Sequence, residues 1–128
     1  MGRLRPRPTD SELAILTILW ERGPSTVRQV HEALADTRDT GYTTTLKLMQ
    51  IMADKGLVTR NESARTHVYT AMASEQQTQR QLVKDLVDRA FGGSAAALVL
   101  QALNAEGATP AELREIRKLI DEYREKRQ

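Results

Sequence analysis

Cysteine is absent from all 128 residues, which excludes a disulfide framework and any thiolate metal site. Aromatics are scarce, one Trp, one Phe and three Tyr, so each carries unusual weight in packing or recognition. No apolar run approaches the roughly 18 residues a spanning helix needs. The longest, Ala95 to Leu100, stops at Gln101. No signal-peptide pattern follows Met1, and these absences together predict a cytoplasmic protein. Glycine-rich phosphate loops are missing, since Gly92-Gly93 stands alone and reads as a turn between helices. No motif arranges serine, histidine and acidic residues as nucleophile, base and orienting group, so no enzyme is expected. His31 and His67 lack metal-ligand spacing, and neither a metal nor a cofactor is expected.

What remains is a folded composition, 28% charged and 40% hydrophobic, long enough for one compact domain with an oligomerisation arm. The net charge of +2 is unevenly placed. Residues 1–73 carry ten Lys/Arg against eight Asp/Glu, whereas residues 74–128 carry nine of each. Arg3, Arg5 and Arg7 open the basic half, in a proline-containing stretch to Pro8 that reads as extended and mobile.

Thr9-Asp10-Ser11-Glu12 has the form of a capping box and starts a first helix with Leu13, Leu16, Leu19 and Trp20 as its apolar face. Gly23-Pro24 ends it, and Ser25 or Thr26 caps a second helix with Val27, Val30, Ala33 and Leu34 inward. A third helix is predicted from about Thr43 to a glycine stop at Gly56. Leu57–Arg60 and His67–Thr70 then read as two strands joined by a polar tip, with Trp20 and Tyr69 closing the core. From Ser74 onward everything reads as helix. Leu82, Leu86, Val87, Ala90 and Phe91 form one stripe, Ala95–Leu103 is apolar nearly all round, and Thr109-Pro110-Ala111-Glu112 caps a last helix. Three such stripes in 74–128 are too little for a free-standing core.

The fold class expected is therefore mainly α with a small β-hairpin wing. Residues 1–73 form a winged helix-turn-helix that binds double-stranded DNA, and 74–128 a three-helix region completed by a second copy of the chain. A symmetric pair would present two recognition helices to successive half-sites. The candidate DNA contacts are Tyr42, Thr43, Thr44, Thr45, Lys47 and Gln50 on the third helix, with Arg60 and Arg65 in the hairpin. Threonine hydroxyls meet base edges and thymine methyls, and the same threonines also serve as helix caps. Tyr42 either approaches a phosphate or wedges against the second helix. Arg60 and Arg65 suit phosphates, which give salt-dependent affinity without sequence information. The dimer contacts expected are Leu86, Phe91, Leu98, Leu100, Leu103, Ile116, Leu119 and Ile120. The alternative is a winged-helix protein-interaction module, since fold alone does not fix function.

Thr9-Asp10-Ser11-Glu12-Leu13, Leu19-Trp20, Tyr42-Thr43-Thr44, Lys55-Gly56-Leu57-Val58, Tyr69 and Phe91-Gly92-Gly93-Ser94 together resemble the BlaI/MecI-type penicillinase repressors and the related copper-responsive repressors. The likeness runs over nearly the whole chain. It implies a homodimeric repressor on dyad-symmetric operators, serving a β-lactam or envelope-stress type of response. It also implies a membrane-bound sensor protease whose triggering leads to repressor cleavage. The chain departs from the family in three places. Leu46 and Ile51 stand where many members have basic residues, Gln101-Ala102 stands at the Asn–Phe cleavage step, and the cysteine-rich tail of copper sensors has no counterpart.

Overall fold

The first two helices are each fixed at the start by side chains that satisfy orphan amides. The computed structural model describes residues 7–127; Arg3 and Arg5 of the basic opening lie outside them. Helix α1 (Asp10–Arg22) carries the full capping box, with the Thr9 hydroxyl accepting from the Glu12 amide and the Glu12 carboxylate accepting from the Thr9 amide. Its inward face is rotated from the expected one. Glu12, Ile15, Leu16 and Leu19 are buried, while Leu13 and Trp20 are only half-buried. The Trp20 indole N–H instead reaches across to the Ala73 carbonyl at 3.0 Å.

Ser25–Thr26 forms a short strand, β1, before helix α2 (Val27–Leu34). Thr26 caps α2 in a second capping box with Gln29. Helix α3 runs Tyr42–Lys55 and ends at Gly56, whose φ of 84° lies in the left-handed region. There the Gly56 amide bonds the Ala53 carbonyl and the Leu57 amide bonds the Met52 carbonyl, a Schellman closure. Gly56→Ala is expected to cost about 1 kcal/mol from backbone strain alone, because open space surrounds the site. Chemical denaturation of the full chain checks this.

That closure shifts the first hairpin strand. Leu57 spends its amide on α3, so β2 starts one residue later than expected, at Val58–Asn61, and β3 spans Val68–Ala71. The sheet order is β1-β3-β2, all antiparallel, with Tyr69 opposite both Ser25 and Arg60. The two-residue β1 is invisible to pattern reading, since only its pairing with β3 makes it a strand. The core gathers Ile15, Leu16, Leu19, Val30, Leu34, Met49, Met52, Val58 and Tyr69. Each such large side chain, fully buried, contributes about 1.5–3 kcal/mol. The chain thus folds as mostly helix with a small antiparallel sheet, as its sequence predicted.

Three helices follow: α4 (Glu75–Ala90), α5 (Ala95–Glu106) and α6 (Pro110–Arg127). The compact units divide at Val83/Lys84 rather than at the expected 73/74. The reason lies in the first turns of α4. Thr78 is buried there, against a small apolar cavity lined by Pro8, Leu16, Leu57 and Met72, so this end of the helix belongs to the N-terminal unit. In the C-terminal unit, α5 and α6 bury no residue fully. No single helix among the described residues is long and apolar enough to cross a membrane.

Candidate nucleic-acid interface

Helix α3 sorts its residues into rows at the 3.6-residue repeat. Thr45, Met49 and Met52 form the inward row and are buried. Thr43, Lys47, Gln50 and Asp54 form the outward row, and all four are exposed. Thr44 lies to one side of that row with Ile51 and Lys55; Tyr42 and Leu46 lie to the other, toward the hairpin. A helix presenting Thr43, Lys47 and Gln50 along one open face offers hydroxyl, ammonium and amide groups to base edges.

Thr45 must be corrected. It is 0% exposed, and its hydroxyl donates to the Gly41 carbonyl at 3.2 Å. With no side-chain cap from Gly41, that back-bond helps close the first turn of α3, so Thr45 is a structural residue and no DNA contact. Leu46 packs partly against the core, whereas Ile51 stays 38% exposed on the flank. The positions that differ from the family's basic pattern thus have different fates, one turned partly inward and one open.

Tyr42 does wedge against the second helix. Its ring meets His31 edge-on, with centroids 5.7 Å apart, and the Arg28 guanidinium lies 5.2 Å above it. The ring is still 39% exposed, so its far edge faces outward. Among side-chain polar atoms of the described residues, His31 Nδ1 is buried without a hydrogen-bond partner.

The two hairpin arginines are not equivalent. Arg60 pairs with Glu62 at 2.8 Å. A hydrogen bond to Tyr69, then the Glu62 charge, hold its guanidinium above the ordinary value. Arg65, at the exposed tip, forms no ion pair among the described residues and is the freer cation. Beside it opens a groove of about 430 Å³ between α2, α3 and the hairpin, lined in part by Arg28, Tyr42, Gln50, Arg65 and His67. Sequence reasoning missed Arg28. A cation in the first turn of α2, where the helix dipole disfavours it, is the signal that was available.

An ion pair with one buried member, Glu12, anchors α3 from behind. Lys55 Nζ donates to both Glu12 oxygens, at 3.1 and 2.8 Å, and the Glu12 side chain is 2% exposed. Burial pushes the Glu12 carboxyl up, but the Lys55 hydrogen bond, the Thr9 amide and the Lys55 charge outweigh it and leave its pKa below the ordinary value. No group of three or more His, Asp or Glu able to hold a metal ion converges among the described residues.

The residues expected at a dimer contact divide. Phe91, Leu98, Leu103 and Ile116 turn partly inward, whereas Leu86, Leu100, Leu119 and Ile120 are 48%, 57%, 55% and 52% exposed. Gln101 and Ala102 are exposed but sit mid-way along α5, in helical backbone.

The family model described as penicillinase repressor matches residues 8–122. The transcriptional regulator BlaI of Mycobacterium tuberculosis (strain H37Rv) is 36% identical over 105 residues, covering 80% of this chain and 76% of its own. The penicillinase repressor of Bacillus licheniformis is 20% identical over 122 residues, covering 95% of each chain. Among solved structures, the DNA-binding domain of the repressor BlaI superposes with a TM-score of 0.51 at 22% identity, over 58% of this chain and 90% of that one. The monomeric form of Bacillus licheniformis BlaI in complex with the blaP half-operator gives 0.50 at 22% identity, over 57% and 89%. At that identity the superpositions show a shared fold over rather more than half of this chain. The breadth of the family match and the 36% identity settle membership, and this chain belongs to the penicillinase repressor family.

Proposed function

We propose that this protein is a transcriptional repressor that binds double-stranded operator DNA through α3 and the hairpin, without enzymatic activity. One observation carries the reading: the open row Thr43, Lys47 and Gln50 stands clear of the core, beside a hairpin tip whose Arg65 forms no ion pair among the described residues. The outward row reads bases and the arginines hold phosphates. The protein acts in the cytoplasm as a homodimer on dyad-symmetric operators, through the apolar side chains that α4 to α6 leave open. A β-lactam or envelope-stress signal, relayed by a membrane-bound sensor protease, is the inducing route that fits the family.

A gel-shift with the DNA upstream of its own gene tests the reading. Retardation at low salt that survives competitor DNA is expected; folded protein that retards nothing sinks it. Lys47→Ala is expected to weaken specific binding by about 1–3 kcal/mol, with a smaller loss for Thr44→Ala on the flank. Thr45→Ala is expected to change fold stability rather than base preference. Titrations on specific and scrambled duplexes separate these outcomes. A protein-interaction module would instead lose no DNA affinity when Arg65 is neutralised.

A further inference from the structure

The groove between α2, α3 and the hairpin is a built cationic recess that the base-reading row touches only at Gln50. Three elements meet there for a stated reason. Thr26 is at once the cap of α2 and the last residue of β1, and β1 is hydrogen-bonded to β3, so the start of α2 is held beside the strand that leaves the hairpin tip. Arg28 projects from that start, Arg65 from the tip, and Tyr42 from the first turn of α3 between them. No carboxylate is among the residues lining the recess. Arg28 is exposed and forms no ion pair among the described residues, and its guanidinium rests over the Tyr42 ring at 5.2 Å. Stacking of this kind restrains the fork and leaves its N–H edges free to donate. A cation at this position opposes the dipole of its own helix, so it adds nothing to α2 unless an anion is bound.

Resting on the repressor reading, we propose that this recess seats one phosphodiester of the operator strand, bridged by Arg28 from α2 and Arg65 from the hairpin, with the Tyr42 hydroxyl as a further donor. The group recognised is the backbone phosphate, not a base. It fixes the register of α3 in the major groove, where Gln50 borders both the recess and the base-reading row.

The test is the salt dependence of binding by the full chain, on its upstream duplex and on a scrambled duplex of equal length. Arg28→Ala is expected to weaken both complexes roughly tenfold and to make the slope of log affinity against log salt shallower by about one. Arg28→Lys is expected to restore most of the slope. The Thr26–Gln29 cap is left intact, and an unchanged melting curve confirms a folded variant. An unchanged slope, or a loss confined to the upstream duplex, overturns the phosphate seat while the repressor reading stands. A wild-type chain that retards neither duplex overturns both. Inorganic phosphate at millimolar concentration is expected to leave the wild-type complex intact; displacement at that level would mean a free-anion site and overturn the duplex assignment.

Discussion

Lys55→Met is expected to destabilise the N-terminal unit by about 3 kcal/mol at neutral pH, because it leaves a carboxylate buried without its counter-ion. The figure sits at the low end for broken buried pairs because the Lys55 side chain is itself 37% exposed. Glu12 touches Lys55 through both oxygens and holds the Thr9 amide as well, so the lost partner leaves one hydrogen bond to a charge that water barely reaches. Urea unfolding followed by the single tryptophan, Trp20, reads this unit directly. Glu12→Gln combined with Lys55→Met is expected to be more stable than Lys55→Met alone, since the double variant buries no charge. Additive losses would refute the coupling.

The pH dependence has a definite sign. The Glu12 pKa is depressed in the folded chain, so its contribution is present above the ordinary carboxylate value of 4.5 and is lost as pH falls through the lower folded value. In Lys55→Met the attraction is gone and burial dominates, so Glu12 becomes easier to protonate. The stability gap between wild type and variant is therefore expected to narrow on acidification. A gap that stays constant between neutral pH and pH 4 would mean that the pair contributes little.

Leu119→Glu with Ile120→Glu is expected to give a monomer whose affinity for a full dyad operator is lower by roughly 100-fold or more, because the second reading head no longer binds at a high effective concentration. Both side chains are more than half exposed on α6, so charge there costs little within one chain and costs heavily only under a partner subunit. Helix α6 itself is expected to persist, held by the Thr109–Glu112 capping box. Leu119→Gln with Ile120→Gln adds no charge and is expected to behave alike, which separates lost packing from electrostatic repulsion of DNA. Sedimentation velocity at micromolar protein and titration on full and half operators provide the readouts. A variant that stays dimeric, or that binds the full operator as tightly as wild type, defeats the dimer reading. The same logic predicts that a chain break after Gln101 dissolves the pair. A protease would first have to unwind α5, because Gln101 and Ala102 lie in continuous helix.

Helices, caps and turns were legible because they rest on neighbours in sequence. The Thr9–Glu12 and Thr109–Glu112 boxes, the Gly56 stop and the Pro110 start are all set by bonds spanning only a few residues. The three consecutive threonines marked the start of α3, but their chemistry alone does not say which of them face the core. The 100° step between residues sends Thr45 inward, Thr43 outward and Thr44 to the flank once Met49 and Met52 are packed.

By itself, the chain order determined the succession of six helices with a hairpin after the third, the polar third helix and the absence of cysteine chemistry. Tertiary structure alone decided the rest. Strand β1 exists through its pairing with β3, Glu12 became an interior anion through Lys55 forty-three residues away, and α4 gave its first turns to the N-terminal unit. Arg28 and Arg65 were brought to one recess by the same packing. The physical reason is range. Local hydrogen bonds and periodicity are written in adjacent residues, whereas burial and charge pairing depend on which distant surfaces meet.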